Sequence, residues 1–387
     1  MTISAPAMVQ SAPAAPPAAA ASRAVFMPQL DVLRAFAVLA VFLHHLLDSD
    51  YLPEFLRLNW GFYGVRLFFV LSGFLITGIL VRARDSAGEA LPERMHAIRQ
   101  FFVRRFLRIF PLYYLVIFTG LILGVEVFRE NFWSLLTYTF NFKLVSQGWF
   151  PNSIAHLWSL AIEEQFYIFW PWVVLFVSKR RLPWWTFAMI VSAPLFRLVA
   201  MSTNMSPIGY YIATPACLDS LGIGAMLAVV SNGGPAPLHV RRALNRYVLP
   251  AAIIAAFAVK NLVFPGVKHV DVVVSDTLFA VMSCWLIAGA SVGFSGPLSG
   301  VFRSRVLLYL GRIAYGLYVY HLLIEVPVHR AGRMLGLEWQ RGEPLFFLIA
   351  SILTVLIASL SWHHFERPIN EFKKHFEYTR DAQGKHA

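Results

Sequence analysis

Apolar residues in this chain form long continuous runs that are separated by short polar stretches. Most runs are about 17 to 23 residues long, close to the length that a helix needs to cross the hydrocarbon core of a bilayer. The runs lie at about 30–48, 61–81, 110–126, 156–178, 184–201, 212–231, 248–264, 272–293, 306–328 and 345–365. The pattern predicts an all-α integral membrane protein with about ten transmembrane helices.

The loops between these runs differ in charge in an alternating way. Cytoplasmic loops carry an excess of Arg and Lys, and every second loop here is rich in them: Arg82 to Arg108, Lys179 to Arg181, Arg241 to Arg246, and Arg303 with Arg305. The intervening loops are sparse or mixed in charge, except for the last one, with Arg330, Arg333 and Arg341. The distribution predicts that both termini are cytoplasmic.

Three regions follow from this pattern. Residues 1–27 are rich in Ala and Pro, lack the basic start of a cleavable signal peptide, and are predicted to be a disordered cytoplasmic tail. Residues 28–370 form the membrane domain, and 371–387 form a basic cytoplasmic tail. The semi-apolar stretch from Phe132 to Phe142 is too short to span and is predicted to be re-entrant or interfacial.

Composition supports the membrane interpretation and excludes several other classes. Only 14% of the residues are charged and 58% are hydrophobic, with a mean hydropathy of +0.60, whereas soluble proteins have roughly a quarter of their residues charged. The net charge of +12 comes from residues between apolar runs, so no nucleic-acid module is predicted. Cys217 and Cys284 both lie in apolar segments and support neither a disulfide framework nor a thiolate metal site.

Ionisable residues inside the predicted spans are the candidates for function, because burying them in a membrane is costly. In the first span, Arg34 and His45 are eleven residues apart, so they lie on one helix face about 16 Å apart along the axis. Asp31 is one turn before Arg34 and can pair with it. The alternative is an arginine at the cytoplasmic surface and a histidine at the opposite interface.

The fourth span begins at His156, and Glu163 lies two turns deeper on the same face, with Glu164 beside it. Two adjacent carboxylates at that depth need partners, and pairing with a buried arginine could account for one of them. In the ninth span, His321 and Glu325 are one turn apart. They could orient a polar acceptor or form a structural pair.

Before the third span, Arg105 and Arg108 lie on one face of a basic amphipathic segment. Such a segment can anchor a protein to lipid headgroups. Alternatively, the two guanidinium groups could bind the phosphates of a cytoplasmic donor. The spacing alone supports both interpretations.

Six of these segments together resemble the acyltransferase 3 family of membrane acyltransferases. They are Leu30 to Ala35 with His45, Gly64 to Ile76, Arg105 to Pro111, His156 to Tyr167, Gly311 to His321, and Phe365 to Pro368, in family order. The chain departs from the pattern at Arg66, where the family often has Asp. The C-terminal hydrolase-like domain that some members carry is expected to be absent.

The resemblance implies an enzyme that transfers an acyl group, commonly acetyl, from cytoplasmic acyl-CoA to a hydroxyl of an extracytoplasmic sugar. It implies that His45, with Arg34, is catalytic, that Arg105 and Arg108 bind the donor, and that Glu163 and Glu164 are the family's acidic pair. A carboxylate of that pair would orient His45 or stabilise its protonated form.

The remaining expectations complete the functional hypothesis. His156, His321 and Asp31 are the candidate substrate-binding residues, acyl-CoA is the donor substrate, and no metal is required. The expected location is a bacterial inner membrane, with the lipid bilayer, acyl-CoA and a carbohydrate as partners and no nucleic acid; the oligomeric state stays open. The alternative function is a transporter or flippase of a lipid-linked sugar, whose path could also be lined by Arg, His and Glu.

Overall fold

A computed structural model describes residues 27–378, with gaps at 150, 152, 204, 264–269, 298 and 337–339. Nineteen α-helices lie in this described part of the chain. They are α1 (Gln29–Leu46), α2 (Trp60–Ala87), α3 (Leu91–Ile122), α4 (Glu126–Glu130), α5 (Phe132–Leu136), α6 (Phe140–Gln147), α7 (Leu157–Phe176), α8 (Leu182–Ser202), α9 (Pro207–Ile212), α10 (Leu218–Val230), α11 (Leu238–Ala243), α12 (Leu249–Ala258), α13 (Val270–Val292), α14 (Ser299–Phe302), α15 (Arg305–Arg312), α16 (Ala314–Tyr320), α17 (Glu325–Met334), α18 (Pro344–Ser361) and α19 (Arg367–Glu371).

Short 3₁₀ and π segments join several of these helices. The π segments are Leu244–Val248, Val259–Val263 and Trp362–Glu366, and the 3₁₀ turns are Ser49–Tyr51, Glu54–Leu56, Lys179–Arg181, Thr214–Cys217 and Phe372–His375. Within the described residues, pairing of the β type is limited to one isolated bridge between Leu47 and Gly342.

The helical membrane architecture predicted from the apolar runs is confirmed in its coarse form. Six helical stretches in the described part are long and apolar enough to cross a membrane. They are Gln29–Leu46, Glu54–Ala87, Leu91–Ile122, Lys179–Ser202, Val273–Val292 and Pro344–His375. The total of ten crossings and the cytoplasmic position of both termini stay predictions.

Two of the predicted spans have different boundaries in the structure. The third is part of a single helix, α3, that begins at Leu91, so the basic segment with Arg105 and the apolar segment after it are continuous. The ninth is divided into α15, α16 and α17. Where α16 ends, the imidazole of His321 hydrogen-bonds the carbonyl of Tyr318 at 2.6 Å, a local side-chain contact that competes with the helical pattern.

Small residues bring the central helices into close contact. A Cβ atom at Gly73 of α2 would collide with the carbonyl of Leu221 in α10, and a Cβ at Gly311 of α15 would collide with the carbonyl of Asp31 in α1. Such close approach is common where helices pack within a membrane. Helix α1 contributes Val38 to one of the main hydrophobic clusters and Leu33 to another, so it lies between them, and both of its ends border cavities.

The regions predicted at the two ends are described only in part. The tail predicted over 1–27 lies outside the described residues except for Met27, and the basic tail predicted over 371–387 is described as far as Tyr378. In that described portion, Arg104 of α3 donates hydrogen bonds to the carbonyls of Lys373 and Phe376, at 2.9 and 2.8 Å. The stretch predicted to be re-entrant or interfacial forms α5 and the beginning of α6.

Candidate active site

Helix α1 carries the two central candidates, Arg34 near its start and His45 in its last turn. Both side chains are partly buried rather than exposed. Each one borders a different cavity: Arg34 lines a cavity of about 420 Å³ at the end of the bundle where α1 begins, and His45 lines a cavity of about 530 Å³ where α1 ends. One helix face therefore joins the two sites.

The cavity beside His45 is polar, and Trp60 forms part of its lining. Its lining includes His44, Asp48, Asn59, Trp60 and Arg341 as well as His45. We call it the outer cavity, since the charge pattern of the loops predicts that this end is extracytoplasmic. It can accommodate a small ligand with several hydroxyl groups.

A loop near the start of α18 closes one side of the outer cavity. Arg341 donates hydrogen bonds from Nε and Nη2 to the carbonyl of His45, at 3.3 and 3.2 Å, and it lies 3.5 Å from a carboxylate oxygen of Glu325. The backbone N–H of Asp48 donates to the carbonyl of Gly342 at 2.9 Å. These contacts fix the C-terminal end of α1, and with it the backbone of His45.

Behind His45 lie two further imidazoles. Nδ1 of His45 is 3.1 Å from Nε2 of His321, and Nδ1 of His321 is 2.6 Å from the carbonyl oxygen of Tyr318. The ring of His156 packs on that of His321 with a centroid distance of 4.7 Å, and its Nε2 donates to the carbonyl of Val319 at 3.1 Å. His156 and His321 were both predicted to bind substrate, and both are buried behind His45.

The acidic pair of α7 does not form the hydrogen bond to His45 that the sequence suggested. Glu163 accepts hydrogen bonds from the hydroxyls of Ser72 and Tyr167, at 2.6 and 3.3 Å. The ring of His45 instead hydrogen-bonds to His321 and to the backbone of Val41 in its own helix. A carboxylate on the fourth predicted span faces the middle of α2 because α2 and α7 pack against each other there.

Glu164 and Arg105 border another cavity. Both line a mostly apolar cleft of about 410 Å³ with Phe106, Tyr167 and Ile168. The guanidinium carbon of Arg105 is 5.7 Å from the ring centroid of Tyr167, within the range of a cation–π contact. The side chain of Glu164 is buried, and its Oε1 makes no hydrogen bond within the described residues.

The cavity beside Arg34 is lined by four arginines that come from four helices. They are Arg34 of α1, Arg82 of α2, Arg108 of α3 and Arg312 of α15. Asp31 also lines it and forms an ion pair with Arg34, as its position one turn away predicted. We call this cavity the inner cavity. Its lining contains one carboxylate and four guanidinium groups, which gives an excess of three positive charges, so the cavity is suited to a polyanion.

The two arginines that the sequence placed together line different cavities. Arg108 reaches the inner cavity, whereas Arg105 lies on the apolar cleft. Arg82 and Arg312 border the inner cavity but were not predicted as site residues. Arg82 directly follows a predicted span and Arg312 lies near the start of the ninth one, and basic residues at both positions also fit cytoplasmic headgroup anchors.

Two other residues were missed because their chemistry depends on distant partners. Ser72 lies within the segment Gly64 to Ile76, and its hydroxyl donates to Glu163. Arg66, where the family often has Asp, is fully buried and pairs with Asp276 at 2.7 Å. Arg197 bridges Asp276 and Asp219, at 3.3 and 2.8 Å, so two arginines and two aspartates form a buried cluster.

Comparison with known proteins gives a family match over most of the chain. The model of the acyltransferase 3 family, described as an acyltransferase domain, matches residues 27–363. "Putative peptidoglycan O-acetyltransferase YrhL" of Bacillus subtilis is 29% identical over 377 residues, which cover 89% of this chain and 55% of that protein. "Peptidoglycan O-acetyltransferase OatA" of Listeria monocytogenes is 28% identical over 383 residues, covering 92% of this chain and 58% of that protein. The chain thus spans a little over half the length of these curated relatives, and no solved structure matches it.

Proposed function

The chain belongs to the acyltransferase 3 family, and from that premise we propose that it transfers an acetyl group from acetyl-CoA to a hydroxyl of an extracytoplasmic sugar. Acyltransferase is the class of enzyme that the family match supports, and several apolar helices support a multi-pass membrane protein. The main observation that supports the proposal is the position of Arg34 and His45. They lie on one face of α1, and each of them lines its own cavity.

The inner cavity supports acetyl-CoA as the donor. Coenzyme A carries a diphosphate and a further phosphate, and the excess positive charge around Arg34, Arg82, Arg108 and Arg312 would attract such a group. The distance of about 16 Å between Arg34 and His45 along α1 can be spanned by the extended pantetheine arm. In this proposal the phosphates stay at the inner cavity while the thioester reaches toward His45.

The outer cavity supports a carbohydrate acceptor. The polar groups of Asp48 and Asn59 can bond to sugar hydroxyls, and the indole of Trp60 offers an apolar face to a sugar ring. The names of the relatives make peptidoglycan the first acceptor to test. We place the protein in the cytoplasmic membrane of a bacterium, with the outer cavity facing away from the cytoplasm.

His45 is the proton-handling group of the proposed reaction. In the direct route, its imidazole takes the proton of the acceptor hydroxyl while the oxygen forms a bond to the acetyl carbon and the carbon–sulfur bond breaks. The proton then passes to the CoA thiolate, so the products are an acetyl ester and free CoA. In the covalent route, His45 attacks the acetyl carbon and the carbon–sulfur bond breaks, so CoA leaves as the thiolate. The acceptor hydroxyl then attacks the acetyl group on His45, the carbon–nitrogen bond breaks, and the hydroxyl proton passes through the released imidazole to the thiolate.

The experiment that tests this function uses purified protein in lipid, radiolabelled acetyl-CoA and peptidoglycan fragments. Wild type should transfer label to the glycan as an ester, and His45→Ala should abolish transfer. His239→Ala is the matched control, because His239 is an exposed histidine of α11. Full activity of His45→Ala would remove this mechanism.

Thermal stabilisation by CoA separates the enzyme from a transporter or flippase, which has no reason to bind CoA. The melting temperature of wild type should rise with CoA concentration, and Arg312→Gln should weaken that rise. Since exposed charges are screened by salt, the effect should also fall as ionic strength increases. A melting temperature that CoA leaves unchanged would contradict the proposed donor.

A further inference from the structure

We propose that His321 is a positioning residue for His45: it accepts a hydrogen bond from Nδ1–H of His45 and leaves Nε2 of His45 as the basic nitrogen. This inference rests on the proposed function, because it assigns the atom of His45 that handles the proton. It gives His321 a role different from the substrate binding that the sequence suggested. The directions of two successive hydrogen bonds determine this tautomer of His45.

The first bond fixes the hydrogen of His321. Its Nδ1 lies 2.6 Å from the carbonyl oxygen of Tyr318, and a carbonyl oxygen can only accept. Nδ1 of His321 therefore carries a hydrogen. In the neutral ring the other nitrogen, Nε2, then has a lone pair and no hydrogen.

The surroundings of His321 favour this neutral ring. Its side chain has no exposed surface, and its neighbours are the stacked ring of Phe42, with centroids 5.5 Å apart, and the ring of His156. The nearest acid along the chain, Glu325, is paired with Arg341. A buried imidazolium would thus have no hydrogen-bonded carboxylate among the described residues, and an unpaired buried charge is costly.

The second hydrogen bond fixes the position of the ring hydrogen of neutral His45. Nε2 of His321 is 3.1 Å from Nδ1 of His45, and because that Nε2 can only accept, Nδ1 of His45 donates. The lone pair of neutral His45 then lies on Nε2, at the far side of the ring from His321. His45 lines the outer cavity, whereas His321 is not among the described residues that line it.

In this arrangement His45 is the base and His321 is the hydrogen-bonded partner that orients it. When Nε2 of His45 accepts the proton of the acceptor hydroxyl, Nδ1–H keeps donating to His321, and the partner stabilises the charged ring. A neutral imidazole is a weaker partner than a carboxylate, so we expect its loss to lower kcat by about 10- to 100-fold, less than the loss of a charged partner would.

His156 supports the pair from the other side. Its Nε2 donates to the carbonyl of Val319 at 3.1 Å, which leaves Nδ1 as a buried lone pair without a hydrogen bond in the described structure. The ring therefore contacts His321 without competing for Nε2 of His321. It packs against the ring of His321 and restrains its rotation.

Two variants of His321 separate positioning from structure. His321→Leu removes the acceptor and should lower kcat about 10- to 100-fold while the KM for acetyl-CoA stays within about twofold. His321→Gln places an amide oxygen near the former Nε2 and should recover at least about tenfold of that loss. Equal loss in both variants, or wild-type kcat in His321→Leu, would overturn the inference.

A spectroscopic measurement on wild type keeps the inference testable even where a variant fails to fold. In protein labelled with [15N]histidine, the His45 signals are identified by their loss in His45→Gln. The inference predicts hydrogen on Nδ1 and a lone pair on Nε2, and the opposite tautomer would overturn it. If wild type shows the expected tautomer but transfers no label to any acceptor, the proposed function fails and the positioning contact stands.

Discussion

The buried cluster of Arg66, Asp276, Arg197 and Asp219 gives a sharp prediction about stability. Asp276 has 1% of its surface exposed and contacts both arginines, at 2.7 Å and 3.3 Å. Asp276→Asn keeps the shape of the side chain but removes its negative charge. Two arginines then share one remaining carboxylate, that of Asp219. Removing one partner of a buried ion pair costs about 3 to 5 kcal/mol, and we expect a loss of unfolding free energy in that range.

A double variant distinguishes lost pairing from lost packing. In Arg66→Met with Asp276→Leu, one positive and one negative charge are removed together, and the pair between Arg197 and Asp219 at 2.8 Å remains. Replacing both members of a buried pair by apolar residues is often close to neutral. The double variant should therefore be more stable than Asp276→Asn alone, which is the reverse of additive behaviour.

The assay is reversible unfolding in mixed micelles with increasing dodecyl sulfate, followed by tryptophan fluorescence. Asp50→Asn is the matched control, because Asp50 is 81% exposed and 3.5 Å from Arg57, and an exposed pair contributes at most about 1 kcal/mol. A loss below about 1 kcal/mol for Asp276→Asn, or a double variant that is no more stable than Asp276→Asn, would refute the reasoning.

Two further predictions use the same unfolding assay. Gly311→Ala should destabilise the protein by about 1 to 3 kcal/mol, because its Cβ meets the carbonyl of Asp31, while Gly300→Ala, with open space around it, should change stability far less; equal losses would contradict this. Ser72→Ala should cost about 1 to 3 kcal/mol because it removes the hydrogen bond to partly buried Glu163. Ser72→Thr keeps the hydroxyl and should retain most of the stability, and a harmless Ser72→Ala would argue against that hydrogen bond.

The fold class followed from the sequence because apolar runs of membrane-spanning length are a local property. The interruption of the ninth predicted span after Tyr320 was not visible, since no proline or glycine lies between Leu317 and Glu325 to mark it. Likewise, the long α3 joins a basic and an apolar segment whose compositions suggested two elements. Hydropathy identifies the part of a helix that is apolar enough to lie in lipid. It does not identify the residue at which that helix begins.

Candidate site residues were predictable only as far as position within a span made them unusual. His45 and Arg34 stood out because ionisable groups are rare in spans, and their spacing placed them on one face. Their partners did not stand out: His321 meets His45 from 276 residues away along the chain, and Ser72 meets Glu163 across two packed helices. Contacts between distant segments depend on how the helices pack. No pattern in a single sequence predicts which helix faces pack together.

Transfer of an acetyl group from one side of the membrane to the other along α1 is the defining feature of the proposed enzyme. Sealed proteoliposomes measure this transfer, with labelled acetyl-CoA trapped inside and a glycan acceptor added outside, neither of which crosses lipid. Wild type should produce labelled glycan outside, and His45→Ala should produce none. If wild type labels the glycan only when donor and acceptor share one compartment, the proposed path along α1 is wrong.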